Sequence, residues 1–577
     1  MPGSFPKRRF VPPELDPGQW PQLEPLYQAL LDRPIGSADE LEQWLHDLSE
    51  LTAVVSEYGA RRRIDHACHT DDPAIEKAFL HYVEEIWPRI QPLSFQLQRK
   101  LLESPHRSAL DAQRYSLLLR HWQAEVELFR PENVPIQAEL TKLASRYDKI
   151  IGAMTVQFRG ESYTLQQLAR FLEEPDRATR QEAWELSANR RLADRDAIDD
   201  LFEQMLQKRQ QVAQNADMDD YRAYVWKDYA RFDYTPEDCL RFAEAIERVC
   251  VPLVERLDQQ RRQQMGLEAL RPWDLSVDVH GRPPLRPFDA DNPADLVAKT
   301  TAIFDRLDPS LAQTFARLQM GRNLDLASRP GKRAGGFQSS LEESGEPFIF
   351  MNAAGLQRDV ETLLHEGGHA FHFLWAHQHQ PLVFLRHAPL EFCEVASMAM
   401  ELMGGHHFDL LYDDPSQQAR ARRDLLEGIV RFFPWMAIID TFQHWLYTHP
   451  GHSRDDRREQ WLSLLDRFQS SVVDWSGYEE ARAAMWQRQL HLFHRPFYYV
   501  EYGIAQLGAL QLWSRFRQDR AGALRDYRAA LSLGGSRPLP ELFAAAGLRF
   551  RFDQAVLEPL MHGLWDELES LPDAVTV

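Results

Sequence analysis

Two histidines four residues apart, His365 and His369, bracket an acid, Glu366, within the run TLLHEGGHAFHF. On an α-helix that spacing stacks both imidazoles on one face, a turn apart, where they can bind one cation. Glu366 then adjoins the cation's remaining position, which suits a general base acting on a water better than a further ligand. With 21 histidines, and all 86 acids counted as glutamate, random placement yields this HExxH pattern roughly 0.1 times. The ion such a helix holds is zinc, one per chain.

A catalytic zinc takes three protein ligands and keeps one position open, so a third donor has to follow. Glu394 supplies it in the run LEFCEVASMAMELMGG, an Ala- and Met-rich stretch that predicts a second helix. Its neighbours Cys393, Val395 and Met398 predict burial, and a buried carboxylate needs a partner such as a metal. Glu401, about two turns further, suits an acceptor for a ligand histidine N–H. Glu391 reads instead as a solvated acid near a loop. His372 reads as a hydrogen-bonding group, and His377, His379, His387, His406 and His407 as loop or surface histidines. Gly367 and Gly368 sit inside the predicted helix, where each costs about 1 kcal/mol against alanine, so something must approach closely there.

The elements that position these groups are mostly helical. Apolar residues recur at helical spacing over 21–144, as in LEQWLHDLSELTAVVSEY, and again from Leu165 onward, with Pro175 opening a helix after Glu174. MTVQFRGESYTL, residues 154–165, alternates around Gly160 and predicts a short hairpin. Residues 270–293 and 328–345 are rich in proline or glycine and read as surface loops or small strands. PFIFMN, 347–352, predicts a strand beside the histidine helix, and Gly335, Gly336 and this strand could take an extended peptide by strand addition. The expected class is therefore mainly α with a small sheet next to the HExxH helix, divided into an N-terminal helical lobe over 1–200 and a catalytic region over 201–577.

Bulk properties narrow the function. A chain of 577 residues exceeds what one core comfortably organises. Its 44% hydrophobic and 26% charged residues are ordinary for a globular protein. The net charge of 66 − 86 = −20 disfavours nucleic acid and anionic lipid as partners. Four cysteines without CxxC spacing exclude a disulfide or cysteine–zinc scaffold and fit the cytoplasm. No apolar leader or membrane-spanning run is present, so no membrane partner is expected. The oligomeric state stays open and is compatible with a monomer.

Taken together, GGF at 335–337, PFIFMN, DVETLLHEGGHAFH at 359–372, EVAS from Glu394 and HLFHRPFYYVEYGIAQLGAL from His491 resemble the oligoendopeptidase F group of the thimet oligopeptidase and neurolysin superfamily of zinc peptidases. LRPWDL from Leu270 and LGGSRPLPELFAAAG from Leu533 extend the match, which spreads over roughly the C-terminal 300 residues, with RFDYTPEDC from Arg231 as a weaker upstream element. The resemblance implies two helical lobes enclosing a deep substrate channel, and zinc-dependent hydrolysis of internal bonds in short oligopeptides. It carries metal binding onto His365, His369 and Glu394 and the base onto Glu366. It also carries substrate or oxyanion donation onto His491, Tyr499 and Tyr502, with Tyr498 as a further candidate and His494 as an alternative to His491. Gly-Gly after Glu366 departs from many members of the superfamily and bears on substrate preference. A helical zinc carboxypeptidase, or a non-catalytic peptide binder on the same fold, are the competing readings.

Overall fold

The structure is a computed structural model that describes residues 8–290, 292–333 and 335–572. The leader reading rests partly on residues 1–7, which lie outside the described residues. Helices dominate, with two small sheets, as the periodicity predicts. The hairpin pairs Thr155–Phe158 with Glu161–Thr164, and its two-residue loop puts Arg159 and Gly160 at φ 52 and 87, the positive values that a tight hairpin turn needs.

Apolar burial separates into unequal clusters. Val11 to Trp122 form one, joined by Leu382 and Leu385 from the loop after the histidine helix. A much larger one runs from Leu128 to Leu568 and contains the histidine helix and its neighbours. Ala60, Ile64 and Cys68, on the helix Ala38–Cys68, pack with Leu341 and Phe350 and so tie the N-terminal part to the second sheet. No helix among the described residues is long and apolar enough to cross a membrane.

In that second sheet PFIFMN lies within the strand Glu346–Ala353, which is central. It runs parallel to Leu324–Ala327 and antiparallel to Phe337–Leu341. Both its edges are therefore paired, so it cannot add a further strand, and the edge that follows Gly335 and Gly336 belongs to Phe337–Leu341. The stretch 328–345 thus contributes a real strand.

Two local expectations change. The helix after Glu174 starts at Arg177, with the Asp176 carboxylate accepting from Thr179 N at 3.0 Å, so Pro175 precedes the cap. The Pro-rich stretch from Leu270 begins inside, with Leu270, Trp273, Asp274 and Val277 buried, and reaches the surface as expected at His280, Gly281, Pro283 and Arg286. Asp274 is fully buried because Arg177 and Arg180 reach it at 2.7 and 3.0 Å, a satisfied buried charge that composition does not reveal.

Candidate metal centre

His365, Glu366 and His369 occupy the helix Gln357–His379. Asp359 fixes its start by accepting from Ala354 N and Leu356 N at 2.7 and 2.8 Å, which satisfies two backbone donors and opposes a negative charge to the helix N-terminus. Glu394 comes from Leu390–Gly404, whose Ala, Met, Leu and Glu content favours a helix and whose apolar perimeter favours burial. The two helices meet backbone to backbone. A Cβ on Gly368 would lie 2.6 Å from Ala396 O and 2.7 Å from Ser397 Cα, while one on Gly367 would strike Phe304. The predicted close approach at these glycines is thus between helices. From the other side, Gly508 on Tyr499–Gln518 lets that helix press against Val395.

This packing brings the donor atoms of His365, His369 and Glu394 within 4.8 Å of one another. Nε2 of His365 and of His369 stand 3.4 and 3.6 Å from the same Glu394 oxygen, Oε2. Those separations exceed good N–H···O hydrogen bonds of about 2.7–3.2 Å. They match the ligand-to-ligand spacing of a tetrahedral zinc whose bonds are about 2.0–2.2 Å. Burial pushes the His369 imidazole down to about 4, so it is neutral with a free lone pair. Burial also opposes charge on His365, yet Glu394 and Glu401 raise its pKa well above the ordinary value, and a dication competes for the same Nε2. The Glu394 carboxyl is held down to about 2 by His369 and His365 against its own burial. Two imidazoles and an ionised carboxylate therefore fit zinc.

Around these groups the structure assigns partners. His365 Nδ1 lies 2.6 Å from Glu401 Oε1, as the two-turn spacing predicts, which directs Nε2 to the metal position. Ser397 Oγ donates to Glu394 Oε2 at 3.0 Å, a contact the sequence reading missed although it lies one turn away. Burial pushes the Glu366 carboxyl up to about 7, with His365 opposing and Glu394 reinforcing, and the backbone N–H of Gln338 faces it from the outer strand.

The aromatic residues gather as well. The His491 ring stands 4.8 Å from that of Tyr499, 5.9 Å from Tyr502 and 6.0 Å from Tyr498. Tyr498 and Tyr502, one helical turn apart, both feel the Glu394 charge, which adds to burial in raising their phenols. Burial raises Tyr499 too, but there the further influences are Gln489 and Arg488. Of the three phenols it is thus Tyr498 and Tyr502 that feel the charge of Glu394. His494 is turned away to Asp148, Nε2 to Oδ1 2.8 Å, which leaves His491 as the inward histidine. Gln489 orients it: Trp435 Nε1, a donor only, lies 3.1 Å from Gln489 Oε1, so the amide N–H₂ faces His491 Nδ1 at 2.9 Å. The proton of the neutral ring then resides on Nε2. Gln489 was not singled out in the sequence, although it stands two positions before His491.

Other expectations need correction. Glu391 is buried and accepts from the Tyr234 hydroxyl at 2.6 Å, so it is no solvated acid. His372 is buried with no hydrogen-bond partner at Nε2 among the described residues, and burial holds it neutral. His377 and His379 end the histidine helix instead of lying in a loop. His387 is an exposed loop histidine as expected, and it also meets the buried Glu342 at 2.6 Å. His406 accepts from Trp513 Nε1 at 2.7 Å, while His407 Nε2 is buried without a partner among the described residues.

A helical cradle offering two imidazoles and a carboxylate to one cation, with a second acid and a cluster of phenols beside it, defines a metallopeptidase. The model of "Peptidase family M3" matches residues 170–280 and 313–562, and that of the "Peptidase M3 N-terminal domain" matches 14–129. The chain belongs to peptidase family M3, and its likenesses place it in the oligoendopeptidase F group. An oligoendopeptidase F homolog of Mycoplasma pneumoniae is 20% identical over 537 residues, 84% of this chain and 83% of its own. The alignment with the homolog of Borreliella burgdorferi is shorter, 23% identical over 227 residues, and spans 38% of either chain. A solved structure provisionally assigned as an oligoendopeptidase F superposes with a TM-score of 0.88 at 28% identity, covering 99% of this chain and all of the other. Pz peptidase A with an inhibitor gives 0.88 at 26% identity, covering 98% and 100%.

Proposed function

We propose that this metallopeptidase is a zinc-dependent endopeptidase that hydrolyses internal peptide bonds of short oligopeptides. The observation that supports it most is the convergence of His365, His369 and Glu394 around one point with Glu366 beside it. Bound there, zinc supplies Lewis acidity and lowers the pKa of a water. Glu366 takes the proton of the attacking water and returns it to the leaving amine, and its burial keeps its pKa near neutrality, where it can do both. Nε2–H of His491 and the hydroxyls of Tyr502 and Tyr498, or of Tyr499 as first assigned, donate to the carbonyl oxygen as negative charge builds on it.

The same reading places substrates in a channel between a lobe over 1–200 and a catalytic region over 201–577, in the cytoplasm. Within the proposed lobe, Leu128 to Met154 and Ile198 pack into the large cluster that holds the histidine helix, while Val156, Phe158, Leu168 and Ala183 form a small cluster of their own. Single-residue release would mark the carboxypeptidase alternative, and no release the binder. The test is fragment masses from a peptide mixture digested by the native protein, after chelation, after zinc return, and by Glu366→Gln. Internal cleavage that chelator abolishes and zinc restores is expected. Glu366→Gln should keep its zinc and lose about 10²–10⁴ in kcat; full activity in it would overturn the base assignment.

A further inference from the structure

A second group of metal-ligating side chains lies apart from the centre just described. Cys239 belongs to the helix Pro236–Gln264, and Asp440 and His444 to the adjoining helix Pro415–Thr448. The donor atoms of these three residues all lie within 4.8 Å of one another, the same closeness found for His365, His369 and Glu394. Their exposures are 1%, 2% and 3%.

The hydrogen-bond arrangement is what an ordinary buried polar cluster would not show. His444 Nε2 stands 3.3 Å from Asp440 Oδ2, yet neither ring nitrogen of His444, nor Asp440 Oδ1, has a hydrogen-bond partner among the described residues. Buried polar atoms are nearly always paired, and leaving several of them unpaired in one place is unfavourable. The His444 ring is packed between Trp226 and Phe497, with centroids 5.5 and 5.3 Å away. Donor atoms this close together and otherwise unpaired have the spacing of ligands around one ion.

We infer that Cys239, Asp440 and His444 form a second, structural site for a divalent cation of the zinc class. Sulfur, oxygen and imidazole nitrogen are all zinc donors. Charge favours the assignment as well. A thiolate and a carboxylate neutralise a dication, so the occupied site carries no net charge into an apolar interior. A nucleophilic role for Cys239 is excluded by its burial, because no substrate reaches it.

The position gives the cation a task. Gln443, between two of the ligands, accepts from Phe497 N at 2.6 Å and holds that residue at φ 64, a strained value for a bulky side chain. Phe497 immediately precedes Tyr498 and lies five residues before Tyr502. The cation would fasten the two helices beneath the turn that presents the phenols.

The test uses the full chain produced in zinc-depleted, cobalt-supplemented medium, so that metal enters as the protein folds. Two cobalt ions per chain and a thiolate-to-cobalt charge-transfer band in the near ultraviolet are expected, since the His365–His369–Glu394 site contains no sulfur. Cys239→Ser should lose the band and one cobalt. The double variant His365→Ala, His369→Ala should lose one cobalt and keep the band, so failure of the catalytic reading cannot be mistaken for failure of this one. Absence of the band from the wild-type protein, or its survival in Cys239→Ser, overturns the inference. Should Cys239→Ser not fold, His444→Gln together with the wild-type spectrum gives the same decision.

Discussion

Glu401 touches no cation position, yet its hold on His365 Nδ1 decides which nitrogen of that ring is free to bind. Glu401→Gln should therefore weaken zinc binding by about 10–100-fold, read by competition with a chelator, while leaving the fold intact. Tyr502→Phe removes one hydroxyl, and with it the hydrogen bond between Tyr502 and Tyr498. It should keep full zinc and lower kcat by roughly 10²–10³ with little change in KM, the pattern of a group that acts on developing charge. Sequence reasoning reached the three converging donors, His365, His369 and Glu394, because two lie in one turn and the third is an acid among apolar neighbours. It took Tyr499 and Tyr502 ahead of Tyr498 by resemblance alone, since which side of a helix faces Glu394 depends on the phase with which Tyr499–Gln518 docks against Leu390–Gly404. Glu391 escaped for a related reason, its partner Tyr234 lying 157 residues away.

Helix against helix, the centre depends on glycine. Gly368→Ala forces a Cβ into the backbone at Ala396 and Ser397, which cannot yield as a side-chain tip would. We expect a loss of about 1–3 kcal/mol in urea unfolding. Zinc should also be lost more readily, because the Glu394 helix has to retreat from the imidazoles. Gly428→Ala is the control: it lies in a helix with nothing within 4 Å, and should stabilise by about 0.5–1 kcal/mol. The glycine pair announced a close contact in the sequence, but its partner could not be read from spacing, because Ala396 and Ser397 carry no distinguishing signal. The stretch from Leu270 shows the reverse error. Proline and polarity suggested a surface loop, which holds from His280 onward, whereas Arg177 and Arg180 draw Asp274 at its start inside.

For the molecule as a whole, aspartates held by arginine, the buried Asp274 and the half-buried Asp278, contribute to the response to acid. Burial alone would raise Asp278, but hydrogen bonds from Arg282 and from the His280 backbone, with the charge of Arg420, hold it down to about 2; Arg177 and Arg180 likewise lower Asp274. Both folded pKa values lie below the unfolded value of about 3.9, so their stabilisation is complete above it and is lost as pH falls from there toward about 2. Melting temperature should decline across that window. Asp274→Asn should melt lower at neutral pH and show a shallower acid decline, which thermal scans at several pH values would measure. The helical class was legible at this scale from periodicity alone. The partition of the core was not, since Leu382 and Leu385 join a cluster whose other members end at Trp122. The strand Phe337–Leu341 carries one more implication. As the outer member of its sheet that comes up to Glu366, it would give a guest chain paired to it a single heading past that acid. Alternate residues of such a guest would turn toward the wall and toward the open space, so the enzyme would sense at most every second side chain. The spelling of the remainder would go unread.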